Sequence, residues 1–202
     1  LIDAHRQVPA LMPYLHLPVQ SGSDRVLNAM NRRHSATDYL RLIDRLRLAR
    51  PDLAVSSDFI VGFPGEEESD FQDTLKLVER IKFVGAYSFK YSPRPGTPAA
   101  RMTCQVEEQI KKRRLAELQS LLNAQQLAFN EECVGKHLDV LLDNRGRYEG
   151  QLIGRSPYMQ AVHVNAPANL IGSIEKLRID RANPNSLGAT RLVNDGFERV
   201  VV

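Results

Sequence analysis

The chain has 202 residues, 43% of them hydrophobic and 25% charged, with a net charge of +3 and two cysteines. This length and apolar content suffice for a packed core, in one large domain or two small ones, and argue against an unfolded chain. Two cysteines without close spacing exclude a disulfide scaffold or zinc knuckle, no apolar run is long enough for a membrane helix, and the small positive excess is compatible with a polyanionic partner without requiring one.

The first residue is Leu1 rather than Met, and the chain runs quickly into a buried-looking segment, so it is expected to begin inside a domain. No charged-then-apolar leader opens it, and a cytoplasmic protein is expected. The segment "YLHLPVQ", residues 14 to 20, predicts a strand that passes through the glycine loop "SGSD" into a helix over "DRVLNAM". Ser35 is the predicted N-cap of a second helix, with Asp38 completing a capping box and Leu40, Ile43 and Leu46 at helical spacing until Pro51. "LAVSSDFIVGF" reads as the next strand. The acids Glu66 to Glu68 and Asp70 then crowd the first turn of a helix, where the macrodipole favours negative charge, and Phe71, Leu75, Val78 and Ile81 mark its buried stripe. "GAYSFKYS" is a third strand, ending in the proline-rich loop "PRPGTPA".

Strands alternating with helices of this length predict βαβ units with parallel strands, in an open sheet or a barrel. From Val106 to about Glu132 the pattern becomes one long helix, apolar at Ile110, Leu118, Leu121, Leu122 and Phe129, with "KKRR" at 111 to 114 on its N-terminal half. It reads as a connector. Beyond Gly135 the runs "HLDVLLD", "QLIGR", "YMQAVHVN" and "IEKLRID" alternate with turn signals and predict a small all-β barrel. The expected domains are 1–104, the connecting helix 105–133, and 134–202.

In parallel α/β folds the loops after the strands' C-terminal ends form the ligand face. "PVQSGS" offers the Gln20 amide, the Ser21 and Ser23 hydroxyls, and Gly22 for close backbone approach. "GFPGE" offers a tight turn at Gly62, Pro64 and Gly65 that exposes backbone groups, and "SPRPGTP" carries Arg94. The plainer reading is that these glycines and prolines only shape turns. An unpaired acid inside a strand is costly to bury, so Asp58 either reaches the ligand face or lies at the strand's exposed start. Arg32 and Arg33 read either as solvated residues with packed stems or as ligand contacts. In the tail, Lys136, Arg145, Arg147, Arg155, Lys176, Arg178, Arg181 and Arg191 interleave with Tyr148 and Tyr158. This suits phosphate contacts with base stacking, although an ordinary mixed-charge surface accounts for it equally well.

Taken together, "HLPVQSGSDRVLNAMNRR", "SSDFIVGFPGEEESDF" and "YSFKYSPRPGTPAA" resemble the radical S-adenosylmethionine (SAM) methylthiotransferases, and "GQLIGRS" and "NPNSLGA" resemble the TRAM domain that ends those enzymes. The resemblance implies an α/β fold: strands 4 to 6 of a parallel radical SAM (βα) barrel, followed by a TRAM β-barrel. It implies that Gln20, Ser21, Gly22, Ser23, Asp58, Gly62, Pro64 and Gly65 border the SAM site, that Arg32 is the arginine of an M-x-R element, and that Arg94 lies near the substrate. The family's reaction, by resemblance, uses SAM and [4Fe-4S] clusters to place a methylthio group on C2 of an N6-prenylated adenosine beside the tRNA anticodon. A sister branch modifies an aspartate of a ribosomal protein, and TRAM domains also occur as non-catalytic RNA-binding modules. The family's cluster-binding C-x-x-x-C-x-x-C loop is not in this sequence, and Cys104 and Cys133 cannot supply three thiolates. The chain therefore resembles the C-terminal part of a longer enzyme, inactive without the N-terminal part of the same polypeptide.

Overall fold

A computed structural model describes residues 1–192. The chain divides into two compact units, the first Leu1–Ala128 and the second from Phe129 onward. None of the described helices is long and apolar enough to cross a membrane.

The first unit begins with a short helix, α1 (Ile2–Gln7), and then alternates β1 (Tyr14–His16), α2 (Asp24–Ala29), α3 (Ala36–Ala49), β2 (Ala54–Val61), α4 (Glu68–Ile81) and β3 (Gly85–Lys90); α5 (Glu108–Glu132) begins in it and ends past Ala128. The strands form a parallel sheet in the order β1-β2-β3, with Tyr14 opposite Ala54 and Ser56 opposite Gly85. Ser35 caps α3 through a capping box with Asp38, and the helix stops at Arg50, which cannot stay helical before Pro51.

Alternation along β2 sorts its side chains. Val55, Phe59 and Val61 join Tyr39, Ile43 and Leu46 of α3, Phe71, Val78 and Ile81 of α4, and Leu118 and Leu122 of α5 in one core. Full burial of a side chain such as Phe59 contributes about 1.5–3 kcal/mol. Ser56, Asp58 and Ile60 point to the opposite face, with His16 and Tyr14 in register on β1 and Tyr87 and Phe89 on β3. Tyr87 and Phe89 are exposed there, although parallel sheets ordinarily bury both faces.

The strand expected over residues 14 to 20 is shorter than its apolar run. Pro18 has no N–H to give the ladder, the Val19 N–H bonds to Ser57 Oγ (3.0 Å), and the chain rejoins β2 only through a bridge between Gln20 and Phe59.

The second unit is a closed barrel of β4 (His137–Arg145), β5 (Gln151–Arg155), β6 (Ala161–Asn165), β7 (Ile174–Asn183) and β8 (Ser186–Arg191), in the order β4-β5-β6-β8-β7. All pairings are antiparallel except β6–β8. Leu138, Val140 and Leu142, Leu152, Val162 and Val164, Leu177 and Ile179, and Leu187 fill the interior. The closing strand β8, "SLGATR", lies in a stretch where no strand was expected.

Candidate functional site

The loop after β1 is fastened to two elements. Gln20 adopts a left-handed φ of 77°, and its N–H and C=O bond to Asp58 O (2.9 Å) and Ile60 N (3.0 Å) of β2. Gly22 lies directly on α4, where a Cβ would stand 2.5 Å from Asp73 O and 2.6 Å from Thr74 Cα. Its N–H donates to Thr74 Oγ1 (2.9 Å), Ser21 Oγ is 3.3 Å from the same oxygen, and Ser23 Oγ donates to Asp70 Oδ1 (2.6 Å) while capping α2. Both hydroxyls expected to face a ligand are thus engaged with the helices. The Gln20 side-chain amide makes no hydrogen bond among the described residues.

The "GFPGE" corner is also held from within. Gly62 (φ 70°) donates its N–H to Glu66 Oε1 (2.8 Å), and Gly65 (φ 81°) donates to Cys104 O (2.7 Å), so neither amide is exposed as the sequence suggested. Pro64 is buried between them. Glu66 precedes α4 rather than joining its first turn, because its carboxylate fills the corner and meets Arg114 Nη1 of α5 at 2.8 Å. Burial pushes the Glu66 carboxyl above its ordinary value, against the pull of the Gly62 N–H and the Arg114 guanidinium. Arg114 also reaches Glu68 (3.2 Å), whose carboxyl is held down to about 2, chiefly by its hydrogen bond from Arg113.

The basic run 111–114 is split: Lys112 and Arg113 are exposed, and the other two turn inward. Lys111 and Arg114 are buried, the Lys111 stem packs on Gly62, and its ammonium lies 5.7 Å from the Tyr91 ring centroid. Arg25, also missed in the sequence, bridges the two loops. It donates to Gly65 O (2.7 Å) and pairs with Asp70. Burial raises the Asp70 carboxyl, but hydrogen bonds from Arg25, Ser23 and the Glu67 N–H outweigh it and hold the group below its ordinary value.

On the uncovered sheet face, Tyr14 Oη and Ser56 Oγ are 2.6 Å apart, Ser56 Oγ is 2.9 Å from His16 Nδ1, and His16 Nε2 is 3.5 Å from Asp58 Oδ2. Asp58 is thus in mid-strand on this face, not at the exposed start of β2. Beyond it, Ile60, Phe89, Tyr91, Arg94 and Thr97 line a cleft of about 390 Å³, and the Tyr91 hydroxyl is buried without a partner. Arg94 is exposed, and so is Arg32, which forms no ion pair among the described residues. The groups left unengaged at this edge are the Gln20 amide, the Tyr91 hydroxyl and the Arg94 guanidinium, which suit a polar ligand.

An iron–sulfur cluster does not fit the residues present. It needs thiolates converging on one site, whereas Cys104 and Cys133 lie in different units. Among the described residues no group of three or more His, Cys, Asp or Glu could hold a metal ion.

On the barrel, Lys136, Arg145, Arg147 and Lys176 are exposed without acidic partners among the described residues, and Tyr148 is exposed beside Arg147. Arg155 faces Asp143 (3.9 Å), Arg178 bonds Asp180 (2.8 Å), and Arg191 faces Glu175 (3.9 Å). Tyr158, expected as a stacking platform, instead packs edge-on against Phe129, both partly buried against the barrel core, with centroids 5.2 Å apart.

Residues 2–78 match the radical SAM superfamily, and residues 131–192 match the TRAM domain. The first match runs from α1 to the last turn of α4, and the second takes in every strand of the closed barrel. Together they support a radical SAM enzyme that modifies RNA. Radical SAM proteins use SAM and an iron–sulfur cluster, and the TRAM domain is generally an RNA-binding module.

Proposed function

We propose that this chain is the cofactor-bordering and RNA-docking part of a cytoplasmic radical SAM tRNA methylthiotransferase, which adds a methylthio group to C2 of N6-dimethylallyladenosine next to the anticodon. The observation that carries the reading is the joining, in one chain, of a radical SAM match whose strand ends present the "QSGS" and "GFPGE" loops with a TRAM barrel that bears unpaired cations. In this reading the three α/β elements of residues 1–104 are strands 4 to 6 of the (βα) barrel. The cluster ligands belong to polypeptide outside these 202 residues.

When bound, SAM supplies the radical chemistry; the protein binds and orients. Gln20 and Asp58 are the side chains that contact it, and the Tyr91 hydroxyl gains there the partner it lacks. Ser21, Gly22 and Ser23, with Gly62, Pro64 and Gly65, fix the loops that hold those groups, while Arg32 and Arg94 offer exposed cations at the edge. Lys136, Arg145, Arg147 and Lys176 provide phosphate contacts for an anticodon stem-loop, joined by Arg155 and Arg178 when RNA displaces their carboxylate partners.

The test is mass spectrometry of tRNA nucleosides from cells with and without the intact gene. Loss of the 2-methylthio mark, with the prenylated adenosine accumulating, is the expected result. An unchanged profile overturns the assignment. The lack of a cysteine triad favours a second reading, a non-catalytic RNA-binding protein, and it prevails if the intact gene lacks cluster cysteines.

A further inference from the structure

Most of the basic residues considered so far are scattered over the barrel, and a cleft lies on its outer face where β6, β8 and β7 adjoin. It has a volume of about 530 Å³, within the roughly 300–1,000 Å³ of small-ligand pockets. A register row crosses its floor: His163 of β6 is opposite Gly188 of β8, which is opposite Arg181 of β7. The missing side chain at Gly188 opens the cleft. A bulge in β7 between Ile179 and Arg181 gives that strand one extra residue and re-aims its side chains. Arg181 consequently lies over Gly188, with Nε and Nη2 3.4 and 3.5 Å from where a Cβ would stand.

Three features indicate the occupant. Arg181 has no acidic partner among the described residues: Asp180, which also lines the cleft, is engaged by Thr190 and Arg178. His163 Nδ1 is buried without a hydrogen-bond partner. Gln151 and Asn165, paired in register on β5 and β6, bring two carboxamides to one end of the cleft, while the Thr190 hydroxyl is engaged with Asp180. A lone phosphate would call for several cations. One unpaired guanidinium, with Arg191 held beside Glu175, a planar ring and two carboxamides, of which Gln151 already accepts from the Arg147 N–H (3.1 Å), match a phosphate, a base face and a base edge.

We propose that this cleft is a subsite for one unpaired nucleotide of the RNA, with the base against His163 and the amides and the phosphate on Arg181. The inference rests on the reading of the barrel as an RNA-docking unit and adds that it seats a single base, not only a phosphate track.

The experiment measures binding of a fluorescein-labelled anticodon stem-loop RNA to the full chain across a salt series, for wild type, His163→Ala, Arg181→Gln and Gly188→Leu. Gly188→Leu fills the cleft without changing any charge. Base stacking on protein rings is worth a factor of about five or more, so His163→Ala weakens binding at least that much with the salt slope unchanged, and Gly188→Leu, whose side chain also displaces Arg181, weakens it at least as much. Arg181→Gln weakens binding and lowers the slope by about one contact. Thermal melts matching wild type exclude misfolding, and if Gly188→Leu fails to fold, His163→Ala decides. A blunt duplex RNA of the same length should compete poorly. If the variants bind as wild type does, or the duplex competes equally, the subsite is refuted while the tRNA assignment stands. Weakened variants together with an unchanged cellular nucleoside profile would leave the subsite intact and overturn the enzyme. Failure of wild type to bind RNA overturns the subsite.

Discussion

Replacing Arg114 by Met removes a cation and keeps most of the side-chain volume at a position 4% exposed. The partner Glu66, with a side chain only 2% exposed, is left with the Gly62 N–H as its remaining donor. Breaking a buried pair from one side costs about 3–5 kcal/mol, and the companion contact to half-exposed Glu68 adds little. At about 2–4 °C per kcal/mol for a chain of this size, the melting temperature should fall by roughly 10 °C. The pH dependence has a definite sign. The Glu66 carboxyl stands above its unfolded value of 4.5, so the folded state binds this proton more tightly; the group costs stability above its folded pKa, and the cost is relieved as pH falls toward 4.5. Loss of Arg114 raises the carboxyl further, so the gap between variant and wild type in urea unfolding should be widest near neutrality and narrow as pH falls. Glu66→Gln in the Arg114→Met background should recover much of the loss. A variant within about 1 kcal/mol of wild type at neutral pH, or a gap that does not change with pH, refutes the argument.

Asp70 behaves with the opposite sign. Its carboxyl is held below the ordinary value, so its contribution is present above the unfolded value and lost as pH falls through the folded one; Asp70→Asn should cost about 1–3 kcal/mol at neutral pH and flatten the acid limb of a stability profile. Gly22→Ala forces a Cβ against the backbone of Asp73 and Thr74, which cannot rotate away, and should cost about 1–3 kcal/mol, with faster amide exchange at Gln20 as the local readout.

The local grammar of the α/β unit is legible in its sequence: Ser35 and Asp38 announce a capping box, and the Val55, Phe59 and Val61 series marks the buried side of a strand. What composition hides is the use of polar groups as packing. "KKRR" stands out in the sequence only as charge, yet Lys111 and Arg114 lie seven and four residues before Leu118, on the same helical stripe, and stepping back from Leu118 along that stripe would have found them. The loop hydroxyls read as ligand groups because their type is visible in the chain and their partners, Thr74 and Asp70, lie some fifty positions away. β8 escaped because Gly188 interrupts its alternation, and that residue is the floor of the cleft. Asp58 and the "GFPGE" corner were found, but their orientation depends on partners distant in sequence: His16 of β1 for Asp58, Cys104 for Gly65 and Arg114 of α5 for Glu66.

The contact between Gly22 and α4 leaves no clearance, and Asp70 adds a second joint, since it receives Ser23 and Arg25 of one loop and the Glu67 N–H of the other. Arg25 completes the linkage at Gly65 O. The two loops are thus mechanically a single part, machined to fit although they are cut from distant stretches of chain. Recombination between homologues should respect that fit: a chimera joined anywhere between Asp24 and Glu67 inherits the halves of this joint from different parents, while one joined beyond Thr74 passes it on whole.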